Sequence, residues 1–215
     1  MLPQVKPKVV RPRSSVFDGR KMPIPTLRTK RLVLRPFAST DAPAVQALAG
    51  DRDVASTTLT IPHPYEDRTA EVWIGDHAAA WESGERLTLA ITTEADGLVG
   101  GMGLHITPQH RRAELGYWIG KPYWNRGYAT EAAAAVVAFG FAELGLHRIV
   151  ARHFPRNPAS GRVMAKIGMT REGTLRQHVV RWGQFEDLEC FAILEPEWRR
   201  HVACPARCGG RWTRD

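Results

Sequence analysis

The chain has 215 residues, 43% hydrophobic and 24% charged, with a formal net charge of +8, which suits one globular domain with a sizeable core. No run approaches the roughly 18 consecutive apolar residues of a membrane span, and the N-terminus has charges but lacks the apolar stretch of a secretory signal. Three cysteines, Cys190, Cys204 and Cys208, cannot build a disulfide framework, so the expected compartment is a reducing cytoplasm.

Residues 1–26 are rich in Pro, Lys, Arg and Ser with little apolar periodicity, and are expected to be a flexible basic arm. Residues 1–31 hold nine Lys/Arg and one acid, residues 199–215 hold five Arg and one Asp, and the body between has sixteen basic against twenty acidic residues. The basicity therefore belongs to the two ends. A mildly acidic body argues against nucleic-acid binding by the fold itself and suits cationic acceptors.

"RLVLRPF" (31–37) alternates Leu32 and Leu34 against Arg31, Val33 and Arg35, as a strand does. "STDAPAVQALAG" (39–50) offers cap residues, then Val45, Leu48 and Ala49 at helical spacing, then Gly50 as a stop. "IPHPY" (61–65) breaks regular structure, and one helix is predicted to carry Trp73, Ile74, His77 and Trp81 before Gly84. "RLTLAITT" and "LVGGMGLHIT" flank an Asp-Gly turn as a hairpin. "AELGYWIG" (113–120) is a third strand, followed by an Ala-rich helix over roughly 130–144. "HRIVARHF" (147–154) reads as a strand, "NPASGRVMAKIG" (157–168) as a short helix, and "RQHVVRW" with "LECFAILE" as a final hairpin. Antiparallel runs interrupted by helices predict an α+β fold, a mixed sheet with helices on both faces. The domain is expected over 27–198, and 199–215 as a basic, mobile tail.

The stretch before the Ala-rich helix, Asn125-Arg126-Gly127-Tyr128-Ala129-Thr130, holds a helix N-terminus open. Free N–H groups there, with roughly half a positive charge, hold anions without side-chain help. Gly127 lets backbone approach a phosphate, small Ala129 keeps the approach clear, and Arg126 adds charge at the rim. The helix behind, "TEAAAAVVAFGF", is apolar on nearly all sides and should be buried. A simple strand–helix turn accounts for the same residues.

Five pieces in order, "RLVLRPF", "ELGYWI", the loop 124–129, "NPASGRVMAKIGM" and the terminal hairpin, resemble the GNAT N-acetyltransferase superfamily and its RimJ/RimL-like branch. Trp124 stands where the family's loop commonly has Gln or Arg. Walker A and Rossmann glycine motifs are absent, which argues against ATP and NAD. The resemblance implies the acyl-CoA N-acyltransferase fold, with a predominantly antiparallel central sheet whose strands splay beside the loop. It implies acetyl-CoA as co-substrate, its pantetheine alongside Trp118 and Ile119 and its pyrophosphate on the main chain from Asn125 to Thr130. It gives Asn157 a hydrogen bond to the cofactor and puts Ser160 near the thioester sulfur, where a hydroxyl could protonate the leaving thiolate.

Without the resemblance, Asn157 is a helix N-cap, Pro158 sits at N1, Ser160 at N3, and Gly168 is the stop. The candidate base is Glu114, which shares a strand face with Gly116 and Trp118 and can take an amine proton through water; an exposed strand-end acid is the alternative. Glu131 reads as a first-turn helix acid, Asp187 as a turn or acceptor-loop residue, and Tyr65 and Trp73 as acceptor-site walls or core. His63, His77, His105 and His110 lack metal spacing, and His201, Cys204 and Cys208 are assigned to the tail, so no metal is expected. Cys190 lies in an apolar alternating run and is no nucleophile.

Three functions remain open on the sequence. One is acetyl transfer to a primary amine by direct attack, the acceptor being a protein N-terminal α-amine such as a ribosomal protein's, or a small amine such as a polyamine or an antibiotic. Another is an acetyl-CoA-binding module without chemistry. The last is weak ribosome or nucleic-acid contact through the basic arm. No membrane partner is expected, and the chain is a monomer or homodimer.

Overall fold

In the computed structural model, which describes residues 23–203, β1 (Leu27–Arg28) and β2 (Val33–Arg35) lead into α1 (Ala42–Ala49), α2 (Arg52–Ser56), α3 (Thr69–Gly75) and α4 (His77–Glu82). Then come β3 (Arg86–Thr93), β4 (Gly97–Thr107), β5 (Arg112–Ile119), α5 (Tyr128–Ala142), β6 (Arg148–His153), α6 (Pro158–Lys166), β7 (Thr170–Arg181), β8 (Gln184–Leu194) and α7 (Glu195–Ala203). The eight strands form one sheet in the order β1-β2-β3-β4-β5-β6-β8-β7. Every neighbouring pair is antiparallel except β5 and β6.

Helices cover both faces. On one, Val136, Val137 and Phe141 of α5 and Met164 of α6 pack with Leu89, Leu104 and Ile149 in the larger core. No residue of α5 from Tyr128 to Phe141 is exposed, so the apolar Ala-rich run ends up within the protein and the helix start is fixed. On the other face a smaller core joins Val45 and Ala49 of α1 to Ala70 and Ile74 of α3 and to Trp118.

Several elements differ from the sequence reading. The strand at 31–37 shrinks to Val33–Arg35, because Pro36 has no N–H to donate. Its Arg35 instead forks onto Asp41, at 2.7 and 2.8 Å, and this bond with the Ala38 N–H holds the Asp41 carboxyl below the usual range. The single helix over Trp73–Trp81 is two, meeting at Asp76, and α2 was not foreseen. Asp187 is no turn residue: it lies on β8 and accepts the Gln177 N–H at 2.7 Å, where the β7–β8 register slips.

The tail does not begin at 199. Helix α7 continues to Ala203, with Trp198 5.4 Å from the Phe141 ring and His201 against Gly168. The basic arm before residue 23, Cys204 and Cys208 lie outside the described residues.

The feature that positions the site is a split in the sheet. Strands β5 and β6 pair only at Arg112–Arg148, Ala113–Ile149 and Glu114–Val150. Beyond Glu114 they diverge, and the β6-facing edge of β5 from Leu115 to Ile119 has no strand partner among the described residues. Backbone groups on such an edge need other partners.

Candidate active site

The split opens toward the start of α5. Gly127, at φ 79°, is the left-handed N-cap of that helix, and Asn125 is also left-handed at φ 61°. Among the described residues, the six main-chain N–H groups from Asn125 to Thr130 meet no acceptor. They form a donor row at the positive end of a 15-residue helix packed against the larger core, an arrangement that can hold a pyrophosphate. A Cβ at 127 would come within 3.3 Å of Arg31 Nη2, so the glycine keeps the cradle open.

Arg31, which sequence reasoning passed over, crosses to this loop from the other end of the chain. Its Nη1 donates to the Arg126 carbonyl at 2.9 Å, its Nε to Glu131 at 2.7 Å, and its guanidinium lies 5.0 Å from the Tyr128 ring centroid. Glu131 also accepts from Thr29 Oγ1 at 2.7 Å and the Arg31 N–H at 2.9 Å. Burial raises the Glu131 carboxyl, but these bonds outweigh it and the net shift is downward. Glu131 is thus a clamp between the β1–β2 turn and α5. Arg126 stands at the rim, half-exposed, 3.7 Å from Asp96. Trp124 donates its indole N–H to the Ile119 carbonyl at 2.7 Å; the aromatic ring in place of Gln or Arg pins the loop to the strand end.

Trp118 and Ile119 point their side chains into the two cores, at 9% and 8% exposure. Only their main chain is available at the cleft.

Glu114 sits at the last paired position before the split. Both its oxygens are taken by Arg152 of β6, one through Nε at 3.0 Å and the other through Nη2. His105 is its direct cross-strand neighbour on β4, and Arg86 on β3 is the neighbour of His105. Four polar side chains thus run across the sheet face opposite α5. Burial and Arg86 lower His105 against the opposing pull of Glu114, so its imidazole is largely neutral near pH 7. In sequence His105 belongs only to a set of histidines without metal spacing; its register with Glu114 is set by strand pairing.

Across the split lies α6. Asn157 caps it, its side-chain oxygen accepting the Ser160 N–H at 3.3 Å, as the capping pattern predicts, and its amide N–H groups stay available. Ser160 Oγ is 2.7 Å from the hydroxyl of Tyr117, a residue of β5 that the sequence reading did not single out. Glu114 and Ser160 are therefore brought to the same split from opposite faces of β5. Burial raises the Cys190 thiol, against a nucleophilic role.

The face carrying Glu114 is walled by α3, α4 and the last hairpin. Trp73 stacks edge-on with Phe37 at 5.0 Å and His77 at 4.4 Å, and Tyr65 packs on the same smaller core. Arg181 at the end of β7 donates to the carbonyls of Ala55, Leu59 and Ile61, at 2.8, 3.2 and 2.7 Å. This clasp ties the hairpin tip to the end of α2 and the segment after it. Among the described residues no helix is long and apolar enough to cross a membrane, and no three His, Cys, Asp or Glu side chains cluster as a metal site requires.

Residues 31–170 match the family model of the acetyltransferase (GNAT) domain. The chain is 34% identical over 174 residues to the uncharacterized N-acetyltransferase YoaA of Bacillus subtilis (strain 168), covering 80% of this chain and 98% of that one. Over a shorter stretch of 84 residues, 39% of this chain and 43% of the relative, it is 32% identical to the [ribosomal protein uS5]-alanine N-acetyltransferase of Escherichia coli (strain K12). Among solved structures, Mycobacterium smegmatis RimJ in complex with CoA-disulfide superposes with a TM-score of 0.70 at 26% identity, over 80% of this chain and 88% of that one.

Proposed function

The chain belongs to the GNAT acetyltransferase family, as an acetyl-CoA-dependent N-acetyltransferase, and we propose that its acceptor is the α-amine of a protein N-terminus. The observation that carries this reading is Glu114, a carboxylate at the last paired position before the split, with both oxygens engaged by Arg152. A carboxylate is a far weaker base than an alkylamine, so it can pass a proton on but cannot strip a strongly basic ammonium. An α-amine of pKa about 7.8 is already about one-seventh neutral at pH 7, whereas a lysine-type amine near 10.4 is neutral about once in 2,500. The similarity to an alanine N-acetyltransferase of a ribosomal protein points the same way.

In this reading the row of N–H groups from Asn125 to Thr130, with Arg126 and Arg31, receives the pyrophosphate of acetyl-CoA. The free edge of β5 at Trp118 and Ile119 takes the pantetheine, and an amide N–H of Asn157 adds a bond to it. The bound donor supplies an activated thioester carbon. Glu114, relayed by water and flanked by neutral His105, accepts the proton that the attacking amine sheds as its C–N bond forms. Ser160 donates to the sulfur as the C–S bond breaks. No covalent enzyme intermediate is needed. The nine Lys/Arg of residues 1–31 suit a carrier with an acidic surface such as ribosomal RNA.

Released thiol, measured over a panel of short peptides with free N-termini, polyamines and aminoglycosides, tests the acceptor. A peptide beginning with a small residue should have the highest kcat/KM, and the intact carrier should lose more rate than its peptide as salt rises. Preference for a polyamine or an antibiotic would overturn the reading.

The Arg181 clasp gives a further expectation. Arg181→Ala removes three donors from the 55–61 segment, which borders the acceptor side, and shares no bond with residues 125–130. Acceptor KM should rise about tenfold, near the loss of one or two net hydrogen bonds, with acetyl-CoA affinity within twofold. An unchanged acceptor KM would show that the hairpin does not shape that side.

A further inference from the structure

The hydrogen bond between Tyr117 and Ser160 crosses the split in the sheet. Tyr117 stands three residues beyond Glu114, on the diverging part of β5, while Ser160 belongs to the helix that follows β6. The phenol oxygen is 2.7 Å from Ser160 Oγ and 3.2 Å from the Ser160 carbonyl oxygen. Two oxygens of one residue thus converge on one hydroxyl.

We infer that Tyr117 is a positioning residue for the transfer step, donating its proton to Ser160 Oγ so that the serine's own hydrogen is turned toward the departing sulfur. The inference rests on the reading of Ser160 as the group beside the thioester.

Geometry alone admits either hydroxyl as the donor, and the phenol is assigned that role on its acidity. A phenol is a stronger donor than an aliphatic hydroxyl, and its oxygen lone pair is partly withdrawn into the ring, so it is the poorer acceptor. The Ser160 carbonyl can only accept, and in the inferred arrangement the phenol proton is shared between it and Oγ. Burial pushes the Tyr117 phenol up to about 12, against a smaller opposing effect of the Ser160 bond, so the phenol remains a donor throughout the neutral range. With Oγ accepting from Tyr117, its remaining hydrogen has no other described partner.

A serine hydroxyl left to rotate spends that hydrogen on neighbouring carbonyls. Fixed by Tyr117, it is pre-aimed at the place where negative charge develops on sulfur, the arrangement that stabilises a transition state without reorganisation. The sulfur gains the electron pair of the C–S bond and a hydrogen bond from Ser160; its proton then comes from solvent, so no phenolate need form.

The test is a double-mutant cycle on Tyr117→Phe and Ser160→Ala, read in two ways. In the protein without donor, denaturant unfolding should give non-additive losses, which reports the bond itself. In turnover, Tyr117→Phe should lower kcat about tenfold, the size of one lost oriented hydrogen bond, with acetyl-CoA affinity by calorimetry within twofold. Ser160→Ala should lower kcat at least as much, and the double variant should match Ser160→Ala alone. A further tenfold loss in the double variant would show that Tyr117 acts independently of Ser160, and a wild-type kcat for Tyr117→Phe would remove its role altogether. A wild-type kcat for Ser160→Ala would instead overturn the reading of Ser160, and the inference with it.

Discussion

Gly127→Glu should reduce acetyl-CoA affinity by at least a hundredfold while leaving the protein folded. Three effects act together. The left-handed backbone at φ 79° disfavours any side chain by about 1–2 kcal/mol, so the substituted loop relaxes out of the conformation that keeps the N–H row open. The new Cβ starts 3.3 Å from Arg31 Nη2, so the carboxylate can reach Arg31 and satisfy the positive end of the loop from within the chain. A ligand phosphate then meets like charge at the helix start. A hundredfold is about 2.7 kcal/mol, within the sum of these effects. Folding survives because Gly127 is exposed and the α5 core begins at Ala132. Gly127→Ala separates the parts: it keeps the strain without the charge and should cost less than about tenfold. Calorimetry with acetyl-CoA decides, and a Gly127→Glu protein that binds like wild type would remove the pyrophosphate from this loop.

The loop was legible because its information is local. A glycine before a helix start and a run of small apolar residues behind it are both visible within twenty residues. The same holds for the β3–β4 hairpin and for the Asn157 cap, whose bond to the Ser160 N–H spans three residues. What the sequence did not disclose are the polar pairs set by topology. Arg31 meets Glu131 across 100 residues, Tyr117 meets Ser160 across 43, and Arg152 meets Glu114 across 38. In each case the two residues are joined by how strands and helices are laid together in the fold, which periodicity does not specify.

Tyr117 shows how the miss arises. In "ELGYWIG" it alternates with Glu114, Gly116 and Trp118, so a strand reading sends it to the opposite, apolar face and stops there. Its ring does lie against the larger core. Only the crossover through α5 and β6 brings a serine to its hydroxyl. Helix α7 is a different kind of miss. Acids in its first turn, Glu195 and Glu197, and bases in its last, Arg200 and His201, match the helix dipole. That signal was present but was absorbed into the basic composition of the C-terminal tail.

Glu114→Gln should lower turnover about a hundredfold at pH 7, the lower range for loss of a general base, with acetyl-CoA affinity little changed. The substitution keeps size and hydrogen-bonding shape but removes the charge opposite Arg152, so that guanidinium loses its bidentate carboxylate. The acceptor must then shed its proton to water alone. The dependence on pH identifies the role. For an α-amine of pKa about 7.8, raising pH from 7 to 9 takes the neutral fraction from about one-seventh to nearly all, but it does so for both enzymes, so this rise cancels in their ratio. The deficit should shrink to roughly tenfold at pH 9, because the proton shed after attack, which Glu114 takes in the wild type, is increasingly accepted by solvent hydroxide. A purely structural loss, from misplacing Arg152 or β6, would persist unchanged across that range. Rates at saturating acetyl-CoA on one N-terminal peptide, from pH 6.5 to 9, separate the two. A constant deficit would make Glu114 the anchor of Arg152 and leave neutral His105, its cross-strand neighbour, as the group positioned to take the proton.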